Sequence, residues 1–377
     1  MEILKSDDPR VSSPDMEAAA QTEVEELGRR GPREKMERSS LAPDANVLGT
    51  RFLYAIKKLN NPAEGPETRF IGQGNGDKAK PFIVHNLSIL RKSSTKIILS
   101  TSAVLGFRIY SHDVNQAYLH SKDQLTREIY IRPKARDFKY FGLVDTEALR
   151  LRKPRHGIPD AGDYWDVTVA DHVKIDPGMS SLTSDTALFV KEVVNGQEGM
   201  LGGCVDDFLK GGNETFQDLT LRTLENFGAK PREWETMNSI GVSIKTVLGP
   251  GRTFKIDQLS YIEAATTLQL DTDCDTFVPA RAAFVWIAHC RPDLVCAINR
   301  AARVTVFSFR ARRIKEINKA IKYATVTKTL VLSYPPLEQD SLHLRVYADA
   351  AFASNDEICR RWAKTFFCAT ATPIFMY

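Results

Sequence analysis

Apolar and polar residues follow different patterns along this 377-residue chain, and the first change of pattern falls near residue 46. Residues 1 to 46 are poor in aromatic residues and carry mixed-charge runs such as EVEELGRRGPREKMER. A segment of this composition buries too little apolar area to offset the entropy lost when it becomes ordered. We therefore predict a disordered tail over residues 1 to 46.

Alternation of apolar and polar residues predicts strands from Val47 onward. The predicted strands lie in RFLYAIKKL, TRFIGQG, GFRIYSHDV, EIYIRP, TALFVKEV, GMLGGCV, IGVSIKTV and RTFKID, and the first two form a hairpin. Helical spacing covers residues 86 to 105, the run YWDVTVADHVKID and residues 215 to 227. The order strand, helix, strand, strand, helix, strand predicts an α+β fold with a ferredoxin-like sheet and its helices on one face.

The pattern of apolar and polar residues changes beyond Gln258. This part of the chain is predicted to be mostly helical until LHLRVYADAAFAS, which predicts a new strand that opens another domain.

Composition narrows the class of protein. An apolar content of 43% is ordinary for a globular protein, and a net charge of +4 is too small to indicate a partner. The six cysteines show no paired close spacing with histidine, which argues against a zinc site and a disulfide framework. The N-terminus lacks the apolar run of a signal peptide, and no window approaches a membrane span. We expect a soluble intracellular protein, cytoplasmic or nuclear, that is not secreted.

Candidate chemistry lies in the stretch LGGCVDDFLKGG, where Asp206 and Asp207 are adjacent at a predicted hairpin tip. Neighbouring carboxylates repel each other, so this arrangement favours a cation beside them. Asp113 ends a predicted strand that neighbours this hairpin in a ferredoxin-like sheet, so three carboxylates could converge. Such a cluster suits two Mg²⁺ ions that assist nucleotidyl transfer. The alternative is a solvated hairpin turn in an unrelated soluble α/β protein.

An ordered series of motifs resembles one protein family. In chain order the motifs read TRFIGQG, SHDVNQAYLHS, REIYIRP, GIPDAGDYW, CVDDFLKGG, IGVSIK, WIAHCRPDLVCAINRAARV and VYADAAFAS. From about Leu48 to about Asn355 the chain resembles the reverse transcriptase of copia-type retrotransposons, particularly those of fungal genomes. The resemblance implies polymerase fingers, palm and thumb, with the ferredoxin-like sheet as the palm. It places fingers and palm in residues 47 to 257, thumb or connection helices in 258 to 335, and a truncated ribonuclease H-like segment in 336 to 377.

The resemblance also implies functional residues. Asp113, Asp206 and Asp207 match the metal-binding catalytic carboxylates of an RNA-directed DNA polymerase, with two Mg²⁺ ions as cofactors and Mn²⁺ as a possible substitute. Tyr118 matches the aromatic residue that excludes the 2′-hydroxyl of ribonucleotides. Arg69 matches the fingers residue that contacts the phosphates of the nucleotide. The expected partners are an RNA or DNA template-primer and deoxynucleoside triphosphates, with no membrane partner.

Several positions depart from the family pattern. Cys204 stands where an aromatic residue precedes the paired acids, and Glu67 places a carboxylate near the triphosphate. Arg155 and His156 stand where relatives carry Leu and Tyr. These departures favour an alternative function, that of a catalytically inactive retrotransposon relic that keeps the fold and at most binds nucleic acid.

The segment from 299 to 328 is strongly basic, and its candidates for nucleic-acid binding are Arg310, Arg312, Arg313 and Lys315. Basic helices of this kind bind a phosphate backbone with strong salt dependence. The alternative is a solvated helix face.

The segment VYADAAFAS resembles the first strand of a ribonuclease H domain, with Asp349 at the position of its first carboxylate. No recognisable further ligands follow, so we expect no ribonuclease H activity.

Overall fold

The protein is described as a computed structural model that covers residues 2–31, 33–56, 65–83, 88–175, 178–194, 196–231, 235–302, 311–338, 343–349 and 364–370. The strands are β1 (Glu2–Leu4), β2 (Arg33–Glu37), β3 (Val47–Ile56), β4 (Pro66–Gly72), β5 (Arg108–Asp113), β6 (Tyr130–Arg132), β7 (Glu147–Leu151), β8 (Ser180–Leu182), β9 (Asp185–Val194), β10 (Gln197–Cys204), β11 (Asp207–Gly212), β12 (Lys230–Pro231), β13 (Thr236–Ser239), β14 (Val242–Leu248), β15 (Arg252–Asp257), β16 (Leu332–Tyr334), β17 (His343–Asp349) and β18 (Lys364–Thr370). The helices are α1 (Pro14–Arg30), α2 (Lys92–Val104), α3 (Phe138–Phe141), α4 (Ala161–Ile175), α5 (Glu214–Glu225), α6 (Leu259–Ala264), α7 (Cys274–Trp286), α8 (Val295–Ala302) and α9 (Ala311–Val326).

The N-terminal sheet contains the predicted hairpin. Its strands lie in the order β1-β3-β6-β7-β2, and β4 pairs with β3. The β3 and β4 strands are antiparallel, with Phe52 opposite Phe70. Both rings are buried in a core that this sheet shares with α1.

The prediction of a disordered tail over residues 1 to 46 is wrong. Helix α1 begins at Pro14, after Ser13 accepts a capping hydrogen bond from the Met16 amide. Its buried residues recur every three or four positions, as an amphipathic helix requires, and they are Met16, Ala20, Val24 and Leu27. Composition did not predict this helix, because it averages the charged residues on the exposed face of α1 with the few apolar residues on its buried face.

The central sheet has the strand order β12-β5-β11-β10-β9-β8. Within it, the predicted strands GFRIYSHDV and GMLGGCV form β5 and β10, and β11 lies between them. The strand predicted after the second helix, IGVSIKTV, lies instead in β14 of another sheet, and the position beside β5 is taken by the short strand β12. The connecting helices α4 and α5 pack on one face through residues that include Trp165 and Phe216. The predicted placement of helices on one face fails for α2, because its Ile98 and Leu99 lie in the core on the opposite face.

Glycines in the sequence KGG let helices approach this sheet from both sides. A Cβ atom on Gly211 would collide with Ser102 of α2, and one on Gly212 would collide with the Phe216 ring of α5. Successive residues of a strand face opposite sides of the sheet, so Gly211 leaves room for α2 on one face and Gly212 leaves room for α5 on the other.

The C-terminal half continues with a sheet in the order β13-β14-β15-β16. Helices α6 to α9 share a separate core that contains Phe277, Ile298 and Ile317, and this confirms the helical pattern predicted beyond Gln258. The last predicted strand is β17, which pairs with β18. Asp349 ends β17, and its side chain lies outside the described residues. None of the described helices is long and apolar enough to cross a membrane.

Candidate active site

The candidate site is built around the hairpin that joins β10 to β11. Cys204 pairs with Asp207, so Val205 and Asp206 form the turn. Val205 has a φ of 57°, a left-handed conformation that a β-branched residue rarely adopts. A non-glycine residue there costs about 1–2 kcal/mol, so the surrounding structure must hold the turn in place.

Two hydrogen bonds hold this turn. The indole Nε1 of Trp165 in α4 donates to the Val205 carbonyl oxygen at 2.6 Å. The amide of Val114, directly after β5, donates to the Asp206 carbonyl oxygen at 2.8 Å. The buried Trp165 of α4 and the end of β5 therefore fix the position of Asp206.

Asp113 is next to this hairpin, as the strand order predicts. It lies directly opposite Asp207 in the antiparallel pair of β5 and β11. Opposite residues in such a pair have Cβ atoms about 4.5–5.5 Å apart and project from the same face of the sheet.

A cavity of about 460 Å³ brings three of the predicted residues together. Asp113, Asp206 and Arg69 all line it, although they come from the end of β5, the hairpin turn and β4. Asp207 and Tyr118 are not among the described residues that line this cavity. Tertiary structure thus unites a cation and two carboxylates in one concave site.

Helix α1 supplies a wall of the cavity that the sequence interpretation missed. Glu23 and Glu26 line it, and Glu23 accepts hydrogen bonds from the Phe70 amide and from Gln116 Nε2, both at 3.1 Å. Burial raises the pKa of the Glu23 carboxyl, although these bonds and nearby Arg69 act in the opposite direction. The apolar stripe of α1 was the signal that could have revealed this wall.

Arg69 and His156 also line the cavity. Arg69 Nε lies 3.6 Å from Glu67 Oε1, so the departure at Glu67 places a carboxylate beside the predicted phosphate contact. Burial, together with the nearby charges of Arg69 and Arg155, lowers the pKa of His156 to about 4. His156 is therefore a neutral ring at physiological pH.

Tyr118 lies against His156. The two rings are in edge contact, with centroids 4.8 Å apart. Burial raises the pKa of the Tyr118 hydroxyl, and so does the charge of Asp206. Tyr118 thus lies next to the cavity, in contact with the lining residue His156.

Asp207 has a different environment from Asp206. Its Oδ2 accepts a hydrogen bond from the Ile240 amide at 2.6 Å, and its Oδ1 accepts from the hydroxyls of Ser239 at 3.1 Å and Ser111 at 3.4 Å. In the described part of the chain, no group of three or more His, Cys, Asp or Glu side chains could hold a metal ion.

Cys204 precedes the paired acids and is half-buried. Burial, together with the carboxylates of Asp207 and Asp206, raises the pKa of its thiol to about 11. The thiol is therefore protonated at neutral pH and adds no charge to the site.

The basic segment is only partly described. Arg310 lies outside the described residues, and Arg312 and Arg313 lie in α9 with side chains outside them. Lys315 is exposed, whereas Ile314 and Ile317 of the same helix are buried. Helix α9 is thus amphipathic, and its other exposed lysines are Lys319 and Lys322.

A second cavity, of about 870 Å³, lies between α4 and the start of β9. Asp166 lines it and accepts a hydrogen bond from the Ser88 amide. Burial raises the pKa of Asp166 to about 6 despite that bond.

No family model matches the chain, and no curated protein matches it. Solved structures of foamy viral protease-reverse transcriptase are similar to it. The dRH form in complex with double-stranded DNA shares 12% identity, with 90% of this chain and 52% of that chain covered and a TM-score of 0.45. Another complex with double-stranded DNA shares 11% identity over 90% of this chain and 62% of that chain, with a TM-score of 0.43. A complex with an RNA/DNA hybrid shares 13% identity over 90% of this chain and 40% of that chain, with a TM-score of 0.42. The chain thus spans about half the length of the first of these proteins, and the copia-type affiliation remains a prediction.

Proposed function

We propose that the chain is the RNA-directed DNA polymerase domain of a copia-type retrotransposon, with fingers, palm and thumb. The observation that carries this proposal is the cavity where Asp113, Asp206 and Arg69 meet. Two carboxylates and a guanidinium in one concave site suit a nucleoside triphosphate bound with a divalent cation.

The residues present fit Mg²⁺. Asp113 and Asp206 offer hard oxygen donors at the cavity wall, and Mg²⁺ in nucleotide sites is commonly held by one or two carboxylates together with substrate phosphates. When bound, the metal would neutralise charge that develops on the phosphates, and Mn²⁺ could replace it.

The side chains of the protein would bind and orient the substrate. Arg69 is half-exposed at the cavity, where its guanidinium can donate to phosphate oxygens. The reaction is attack of a primer 3′-hydroxyl on the α-phosphate of a deoxynucleoside triphosphate, and pyrophosphate leaves. We propose that Tyr118, together with the neutral His156 ring that it contacts, limits the space near the 2′ position of the sugar.

The template-primer would bind through its phosphate backbone. The exposed lysines of α9 are suited to this contact, because neutralising phosphates releases counterions. The contribution of Arg310, Arg312 and Arg313 remains a proposal.

The test is primer extension on an RNA template with Mg²⁺ or Mn²⁺. We expect Asp206→Asn and Asp113→Asn to abolish extension, whereas Glu192→Gln, an exposed acid of the same sheet, leaves it unchanged. Extension that survives Asp206→Asn would contradict the proposal, and so would a well-folded wild-type chain that extends no primer with either metal.

A second candidate function is an inactive relic that binds nucleic acid. It is favoured by the buried Arg155, which lacks hydrogen-bond partners at Nε and Nη1 among the described residues, and by the protein donors that occupy Asp207. Salt-sensitive binding of a template-primer in fluorescence anisotropy, without extension, would identify this function.

A further inference from the structure

We propose that Asp207 is a positioning residue that fixes the turn at Ser239, Ile240 and Gly241 to the central sheet and is not a metal ligand. The part of this inference that concerns metal binding rests on the proposed function. The part that concerns the turn stands independently of it.

The Asp207 carboxylate is already occupied by protein donors. Both of its oxygens accept hydrogen bonds, and the 2.6 Å bond from the Ile240 amide is the shortest of the three. Hydrogen bonds to a carboxylate are roughly twice as strong as neutral ones. These donors use three of the roughly four lone-pair sites of the carboxylate, so a metal at Asp207 would have to displace or crowd them.

The donors would be left without this acceptor if Asp207 were removed. The Ser239 side chain is 1% exposed and Ile240 is 9% exposed, so water cannot readily replace the carboxylate. A buried donor left unsatisfied costs about 1–3 kcal/mol. Asp207 therefore stabilises the packing of β13 and its turn against β11.

The turn that Asp207 holds has a strained backbone. Ile240 has a φ of 48°, which is unusual for a β-branched residue, and Gly241 follows with a φ of 72°. A Cβ atom on Gly241 would collide with the indole of Trp286, so the turn is held between α7 and Asp207. Strain of this kind persists only where surrounding contacts determine the conformation.

The neighbouring carboxylates differ from Asp207 in their surroundings. Asp113 and Asp206 line the cavity with Arg69, whereas Asp207 is not among the described lining residues. One acid of the adjacent pair thus faces the candidate substrate site, and the other faces the β13–β14 turn.

The stability of the turn and the affinity for metal are measured separately. Hydrogen exchange of the peptide that covers residues 236 to 245 is followed in the wild-type chain, Asp207→Ala, Asp207→Asn and Asp206→Asn. We expect Asp207→Ala to speed exchange there by ~tenfold or more. Asp207→Asn keeps one acceptor oxygen and should give an intermediate rate, and Asp206→Asn should leave the rate unchanged. Ser239→Ala should add little in the Asp207→Ala background, because both changes remove the same bond.

Metal binding is measured in the same variants by Mn²⁺ titration, followed by electron paramagnetic resonance. We expect Asp206→Asn to lower Mn²⁺ affinity at least ~tenfold, and Asp207→Asn and the control Glu192→Gln to change it less than about twofold. Unchanged exchange in Asp207→Ala, or a loss of Mn²⁺ affinity in Asp207→Asn equal to that in Asp206→Asn, would overturn the inference. If the wild-type chain binds no Mn²⁺, the proposed function fails and the exchange measurement still decides the role of Asp207.

Discussion

Replacing Arg155 with Leu should stabilise the protein, which is an unusual expectation for a fully buried position. Arg155 is 2% exposed, and its Nε and Nη1 lack hydrogen-bond partners among the described residues. Burial, together with nearby Arg33, lowers the pKa of its guanidinium to about 10, although Glu23 acts in the opposite direction. The charge is therefore held in a site that compensates it only in part.

The size of the effect follows from this pKa. A fall from 12.5 to about 10, at ~1.4 kcal/mol per tenfold change in a protonation constant, means that the charged group destabilises the fold by about 3 kcal/mol. A leucine at this position leaves some space unfilled, which costs ~1 kcal/mol. We expect Arg155→Leu to raise the free energy of unfolding by about 2 kcal/mol, within the range found when buried ionic groups are replaced by apolar ones.

The pKa of Arg155 also predicts how the gain in unfolding free energy depends on pH. The folded-state pKa of this base is depressed, so the destabilisation is fully present below about pH 10 and is relieved only as the pH rises above it. The gain in Arg155→Leu should therefore be equal at pH 6 and pH 8.

Urea unfolding, followed by circular dichroism, measures this gain. Arg155→Met is a second variant, because its unbranched side chain follows the space of the arginine stem more closely. Arg51→Leu is the control at an exposed position of β3, and we expect a change within about 0.5 kcal/mol there. A loss of stability in both Arg155 variants would refute the reasoning, because it would show that the guanidinium is compensated.

Other consequences can be tested separately. The pKa of the Asp166 carboxyl in the folded protein is about 6, against an ordinary 3.8. The unfolding free energy of the wild-type chain should therefore fall relative to that of Asp166→Asn as the pH rises from about 4 to 6. A difference in unfolding free energy that stays constant over this range would contradict this expectation. Leu27→Ala should cost about 2–5 kcal/mol in urea unfolding because Leu27 is buried in the core, whereas the exposed control Glu25→Ala should cost little; equal small effects would favour a disordered N-terminus. Neutralising three exposed lysines of α9 with glutamine should reduce the slope of log affinity for a template-primer against log salt by about 2–3, and an unchanged slope in fluorescence anisotropy would remove α9 from the binding surface. The three residues are Lys315, Lys319 and Lys322.

Local periodicity was sufficient to predict most of the central sheet. The alternation in GFRIYSHDV and GMLGGCV placed β5 and β10, and both predicted strands are present in the structure. The position of Asp113 at a strand end and of Asp206 in a hairpin turn followed from the same local patterns. Side-chain alternation and turn preferences act over a few residues, so a sequence displays them directly.

Contacts between distant parts of the chain were decided only by tertiary structure. Composition concealed α1, which becomes ordered because its stripe of apolar residues packs on the N-terminal sheet and which then places Glu23 in the cavity wall. The adjacent acids looked equivalent in sequence, yet Ser239 and Ile240 of another sheet bind Asp207 while Asp206 faces the cavity. The sequence by itself determined strands such as β5 and β10 and where the acids lie along them. The packing of those segments decided which side chains are buried, bonded or open to a ligand, because burial and hydrogen bonding depend on neighbours brought together by the whole fold.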